Sequence, residues 1–149
     1  MAYLIDTSLL ARLANATDAQ HAVAARAVLE LHRRGEVLHV TPQVLIEFRN
    51  VATRPVAVNG LGLSTVDTEA QAATFEARFP LLVETPDIYL AWKALVEAMD
   101  VIGKRVHDAR LVAVCHAHAV THLLTFNVAH FVQMAGFGPG LVVVDPPSV

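Results

Sequence analysis

Short apolar runs recur along the chain at Ala2-Tyr3-Leu4-Ile5, Val37-Leu38-His39-Val40, Leu81-Leu82-Val83, Leu123-Leu124-Thr125 and Leu141-Val142-Val143-Val144. Between them lie longer stretches whose apolar residues follow helical spacing. Short continuous apolar runs read as strands buried on both faces, and their alternation with helices demands a parallel sheet reached by crossovers. The expected fold class is therefore α/β, a sandwich with a mainly parallel central sheet covered on both faces.

The helix boundaries carry their own signals. Asp6-Thr7-Ser8 offers capping side chains to a helix through Leu9, Leu10 and Leu13. A second helix is expected from Asp18 to Arg34, with Val23, Ala27 and Leu31 in register and Gly35 as its stop. Thr41-Pro42 and Thr85-Pro86 each place a hydroxyl before a proline at the first helical position. The first begins a helix over 42–54, ended by Pro55; the second carries Tyr89, Trp92, Leu95 and Val96. The stretch 56–63 holds two glycines and reads as a loop, after which Ser64 caps a helix to about Phe79. Residues 101–106 form a connector around Gly103, a helix follows from about His107 to Ala119, and a short one spans Val128 to Met134.

A chain of 149 residues with 54% hydrophobic and 17% charged residues can bury a sizeable core, and its length fits one domain over 1–149. The apolar excess has two equal explanations, an alanine- and valine-rich core or a permanent protein interface. A net charge of −3 excludes nucleic-acid binding by bulk electrostatics alone. The one cysteine, Cys115, excludes an intrachain disulfide. The N-terminus MAYLID lacks a basic leader and no apolar run has the length of a membrane span, so the expectation is a cytoplasmic protein with no membrane partner.

Active sites of open α/β sheets lie beyond the carboxyl ends of the strands. Asp6 stands at one such end and Asn127 just past another; Asp108 opens a helix after a connector. Glu47 interrupts an apolar helix, sharing a face with Val44, Phe48 and Val51, where an unpartnered carboxylate is costly. Each has a plain alternative: Asp6 a helix cap, Glu47 half of an ion pair with Arg49 or Arg54, Asp108 a helix-start charge, Asn127 a turn former. Taken together they suggest a carboxylate cluster compensated by a hard divalent cation, which favours oxygen ligands, water and substrate phosphate.

LIDTSLL at 4–10, IEFRNVATRP at 46–55, VHDARLVA at 106–113 and LLTFNVAHF at 123–131 resemble, in order and spacing, the motifs of the PIN-domain family and, within it, the VapC-type toxins. NGLGLS at 59–64 looks like one branch of that family. The resemblance implies an α/β/α sandwich and a magnesium- or manganese-dependent endoribonuclease of a type II toxin–antitoxin pair. Its acidic positions fall on Asp6, Glu47 and Asp108, with Asn127 at a fourth position that is often Asp. Asp6 and Asp108 would anchor the metal, with Glu47 as a third ligand or as the group that orients or deprotonates the attacking water. Asn127 would position a ligand or water, and Thr7, Ser8 and Thr125 would hold metal-bound water. Lys104, Arg105 and Arg110 are candidate RNA phosphate contacts, set against a reading as solvated surface charge. The implied partners are RNA, a VapB-type antitoxin and a second copy of the chain in a homodimer.

Other readings fit less well. A haloacid-dehalogenase-type phosphatase needs a second Asp where Ser8 stands, and no GxxxxGK[ST] phosphate loop occurs. The histidines at 107, 116, 118, 122 and 130 lack the spacing of a zinc site. The rival of another class is a catalytically silent PIN-like protein-binding module.

Overall fold

The computed structural model describes residues 1–149. Four parallel strands, β1 (Ala2–Ile5), β2 (Val37–His39), β3 (His122–Leu124) and β4 (Val142–Val144), form one sheet in the order β2-β1-β3-β4. Seven helices surround it: α1 (Thr7–Leu13), α2 (His21–Arg33), α3 (Pro42–Thr53), α4 (Thr65–Arg78), α5 (Pro86–Ala98), α6 (Arg105–Ala117) and α7 (Val128–Ala135). The α/β sandwich expected from the alternation is present. Leu4, Ile5, Leu123 and Leu124 are wholly buried, as strands covered on both faces require.

The topology decides where a site can form. From β1 the chain crosses outward to β2; from β2 it returns past β1 to β3 and continues to β4. The connections leaving β1 and β3 therefore run in opposite directions, and a crevice opens between their carboxyl ends. The backbone N–H of Asp6, one residue past β1, donates to the Leu124 carbonyl at the end of β3 (3.0 Å). The two strand ends are thus joined at the crevice floor.

The helices start where capping chemistry allows. Thr41 accepts the Val44 N–H through its Oγ1 at 3.1 Å, and Ser64 accepts that of Asp67 at 3.0 Å. Thr85 occupies the corresponding place before α5 without a side-chain cap bond. Helix α2 begins at His21 rather than Asp18, because Asp18 closes its own turn onto the Gln20 N–H. Helix α6 begins at Arg105 and ends at Ala117, two residues earlier at each end than the sequence signals indicate.

One expected strand is absent. Leu81-Leu82-Val83 contributes only a single parallel bridge, Leu81 to Val40, at the open edge of β2. Leu81 and Val83 are exposed, so the run is apolar without being a covered strand. The core instead takes its bulk from Phe48, Phe75 and Phe79, with Phe48 and Phe75 meeting edge to face at 5.1 Å between ring centroids.

The 56–63 loop braces α3. Leu61 N–H donates to the Val51 carbonyl and Leu63 N–H to that of Ala52. A Cβ at Gly60 would sit 1.9 Å from the Arg54 carbonyl oxygen, so only glycine permits this return. Cys115 is buried on α6, and burial pushes its thiol up to about 12, which makes it an inert structural residue. No helix is long and apolar enough to cross a membrane.

Candidate active site

Asp6 is carried straight from the end of β1 into the crevice. It occupies the N-cap position of α1, but its side chain makes no cap bond. Instead Oδ2 accepts two hydroxyls, from Ser8 at 2.8 Å and from Thr125 at 2.7 Å. Thr125, wholly buried just past β3, also takes the Asn127 N–H on its Oγ1 at 2.9 Å. The Ser8 hydroxyl oxygen in turn accepts the Phe126 N–H at 3.1 Å. Two hydroxyls thus bind a carboxylate at one strand end to the turn at another. Oδ1 of Asp6 has no protein donor.

Glu47 lies half-buried on α3 and is held from both sides. Thr7 donates its hydroxyl to Oε2 at 2.7 Å, and Gln43, one turn earlier, donates its amide to Oε1 at 2.9 Å. Glu47 has no ion pair with Arg49 or Arg54; Arg49 bonds Glu69 instead. Hydrogen bonding therefore offsets the cost of placing a carboxylate on that face.

Asp108 stands in the first turn of α6 with its side chain a quarter exposed. Burial raises its pKa above the ordinary carboxylate value, and the neighbouring Asp6 and Glu47 charges add to that rise. His130 Nδ1 at 3.5 Å and Arg105 Nη1 at 3.9 Å from Oδ2 oppose it. The like-charge effect of Asp6 and Glu47 on Asp108 is the electrostatic signature of three carboxylates sharing one region.

The three acids and Asn127 line a single cavity of about 350 Å³, together with Thr7, Ser8, Arg12, Lys104, Arg105 and His130. Asn127 is exposed and caps α7 without a side-chain bond, while its backbone forms the turn. The turn is thus made by main chain, and the amide is left free at the cavity. Arg110, grouped with Lys104 and Arg105 on sequence, does not line this cavity. It pairs with Glu84 and donates to the Gln43 side-chain oxygen at 3.0 Å, so it reaches Glu47 only through Gln43. Thr7, Ser8 and Thr125, expected beside metal-bound water, spend their hydroxyls on the carboxylates themselves.

The donor set suits a hard cation: three carboxylates and an amide, with no sulfur. No three Asp, Glu, His or Cys side chains converge closely enough to grip an ion at one point. The three-carboxylate set Asp6, Glu47 and Asp108 is therefore not a direct cage here. A hard divalent cation held through one or two carboxylates, and keeping several of its waters, is compatible with this spacing. Sequence reasoning missed Arg12 and Gln43, and considered His130 only as a zinc ligand.

Comparison with known proteins agrees with this fold. The chain superposes on VapBC2 of Rickettsia felis bound to a promoter DNA fragment with a TM-score of 0.72 at 15% identity, covering 97% of this chain and 98% of that one. VapBC-1 of nontypeable Haemophilus influenzae gives 0.70 at 15% identity, covering 98% of both chains. VapC20 of Mycobacterium tuberculosis, a toxin that cleaves the sarcin–ricin loop, gives 0.63 at 24% identity, covering 91% of this chain and 96% of that one. No curated protein sequence is similar enough to match. Residues 3–136 match the family model of the PIN domain, and the chain belongs to the PIN domain family.

Proposed function

We propose that the chain is a metal-dependent endoribonuclease that hydrolyses RNA phosphodiester bonds, the toxin of a type II toxin–antitoxin pair. The observation that carries this is the gathering of Asp6, Glu47 and Asp108 around one cavity at the crevice between β1 and β3. Membership of the PIN domain family and a fold shared with the sarcin–ricin loop-cleaving VapC20 support it.

Bound at Asp6 and Asp108, magnesium or manganese would supply charge neutralisation and Lewis-acid polarisation of the phosphate. The chain's own residues do the rest. Asp6 presents Oδ1 while Ser8 and Thr125 immobilise Oδ2. Glu47, fixed by Thr7 and Gln43, takes the proton of the water whose oxygen attacks phosphorus. The bond from phosphorus to the leaving oxygen breaks, and solvent returns a proton to that oxygen. Asn127 positions substrate or water through its free amide, and Lys104 and Arg105 meet phosphate at the cavity mouth.

The same reading treats residues 1–149 as one cytoplasmic domain that acts with partners. VapBC complexes among similar structures support a VapB-type antitoxin, which would lay a tail over an apolar groove and direct a basic side chain among the carboxylates. Ile46, Tyr89 and Leu90 expose apolar surface that a homodimer would cover. The test of function is cleavage of a panel of structured RNAs in excess EDTA and after adding manganese. Cleavage restored by the metal is expected. Undiminished cutting in EDTA removes the metal mechanism, and no cutting under any condition favours a silent binding module.

A further inference from the structure

Arg12 lines the carboxylate cavity, yet it forms no ion pair with any carboxylate there. Its Nη1 donates to the Ser8 carbonyl, one turn back on α1, at 3.0 Å. Its guanidinium carbon lies 4.7 Å from the centroid of the Phe126 ring, which comes from the turn after β3. Its Nε is sealed from solvent and has no acceptor, while Nη2 has no protein partner. The main chain of Arg12 is also tied down, since His21 Nδ1 lies 2.8 Å from its carbonyl oxygen. The other arginine at this cavity differs: Arg105 donates to the His130 carbonyl and approaches Asp108.

A partly buried cation whose Nη2 is unengaged, held by an aromatic face and a carbonyl, is pre-organised for an anion. Guanidinium binds phosphate through paired N–H groups in a fixed plane, and the order already imposed on Arg12 lowers the entropy lost on binding. We propose that Arg12 is a phosphate-binding residue, engaging the RNA backbone beside the bond to be cut. This rests on the nuclease reading and extends it by giving the substrate a fixed anchor on α1. It also explains how a chain of net charge −3 holds a polyanion: the attraction is local. The competing role for Arg12 is purely structural, a positive charge in the last turn of α1.

The test measures binding of a short fluorescent single-stranded RNA of mixed sequence to the full chain carrying Asp108→Asn, a change expected to remove cleavage. Arg12→Gln and Arg12→Lys are added to that background, and anisotropy is followed between about 50 and 200 mM salt. Arg12→Gln is expected to weaken binding about tenfold. It should also flatten the dependence of log Kd on log salt by about 0.7, the value for one single-strand phosphate contact. Arg12→Lys restores the slope but not the full affinity, because ammonium lacks the paired donors. If Arg12→Gln binds like its background while the unsubstituted chain cuts RNA, Arg12 is only a helix-end charge and the nuclease reading stands. If Arg12→Gln does not fold, Arg12→Lys decides: a parental melt with background affinity overturns the proposal. If the unsubstituted chain neither cuts nor binds RNA, the functional reading falls and the proposal with it.

Discussion

Thr125→Val tests whether the hydroxyl network at the strand ends holds the site together. Thr125 is wholly buried, and valine keeps its branched shape while deleting the hydroxyl. Two close bonds disappear, the donation to Asp6 Oδ2 at 2.7 Å and the acceptance from the Asn127 N–H at 2.9 Å, along with a longer 3.3 Å contact to the Ser8 hydroxyl. A hydrogen bond to a charged acceptor contributes about 1.5–3 kcal/mol and a neutral one about 1 kcal/mol. Asn127 is exposed, so its N–H can turn to water and recover part of the loss. The net cost is then about 2–3 kcal/mol, which for a chain of this size lowers Tm by roughly 5–10 °C. Differential scanning calorimetry without added metal measures this directly. Cleavage should fall alongside, because Asp6 retains only Ser8 as a hydroxyl donor. A Tm within about 2 °C of the parent contradicts the reasoning, since a buried hydroxyl with two partners cannot then be supporting the turn.

Three further substitutions examine single residues. Burial raises the Asp108 pKa in the folded state, so ionising it costs stability and that cost grows as pH rises from the ordinary carboxylate value of 3.8. Asp108→Asn should therefore melt above the parent at neutral pH without metal, with the gap closing towards pH 3; a gap independent of pH contradicts this. Asn127→Asp places a fourth carboxylate at the cavity, which should tighten manganese binding in calorimetry and lower the metal-free Tm. If neither quantity moves, residue 127 serves only the turn. Arg110→Ala acts on Glu47 through Gln43, so it should slow cleavage while leaving RNA affinity unchanged. A loss of affinity at an unchanged rate from the bound complex would instead place Arg110 on phosphate.

The elements that carry the acids were legible because they obey local rules. A run ending in a charge, as at Ile5-Asp6, is a strand that emerges from the core. A hydroxyl before a proline, as at Thr41-Pro42, is a helix start whose next turn carries Glu47. The misreadings come from non-local facts. Leu81-Val83 has strand composition but sits at an uncovered edge, where apolar residues gain little from pairing. Arg110 follows Asp108 by two residues, and on a helix that spacing turns it away from the acid's face. Nothing local marks Arg12, because Phe126, the ring that seats it, lies near the other end of the chain. The resemblance put the hydroxyls of Ser8 and Thr125 beside metal-bound water, and only the register of β1 on β3 assigns them to Asp6 Oδ2.

If the carboxylate cavity performs hydrolysis, Asp6→Asn removes it. The asparagine side-chain oxygen can still accept from Ser8 and Thr125, so the turn between the strands survives, while the charge facing the cavity is gone. Crowding of like charges around Asp108 is also relieved. The measurement is the rate of RNA cleavage in manganese by both proteins, alongside their metal-free melts. Loss of cleavage with a Tm equal to or above the parent's is expected. A variant that folds and cuts at the parental rate contradicts hydrolysis at this cavity.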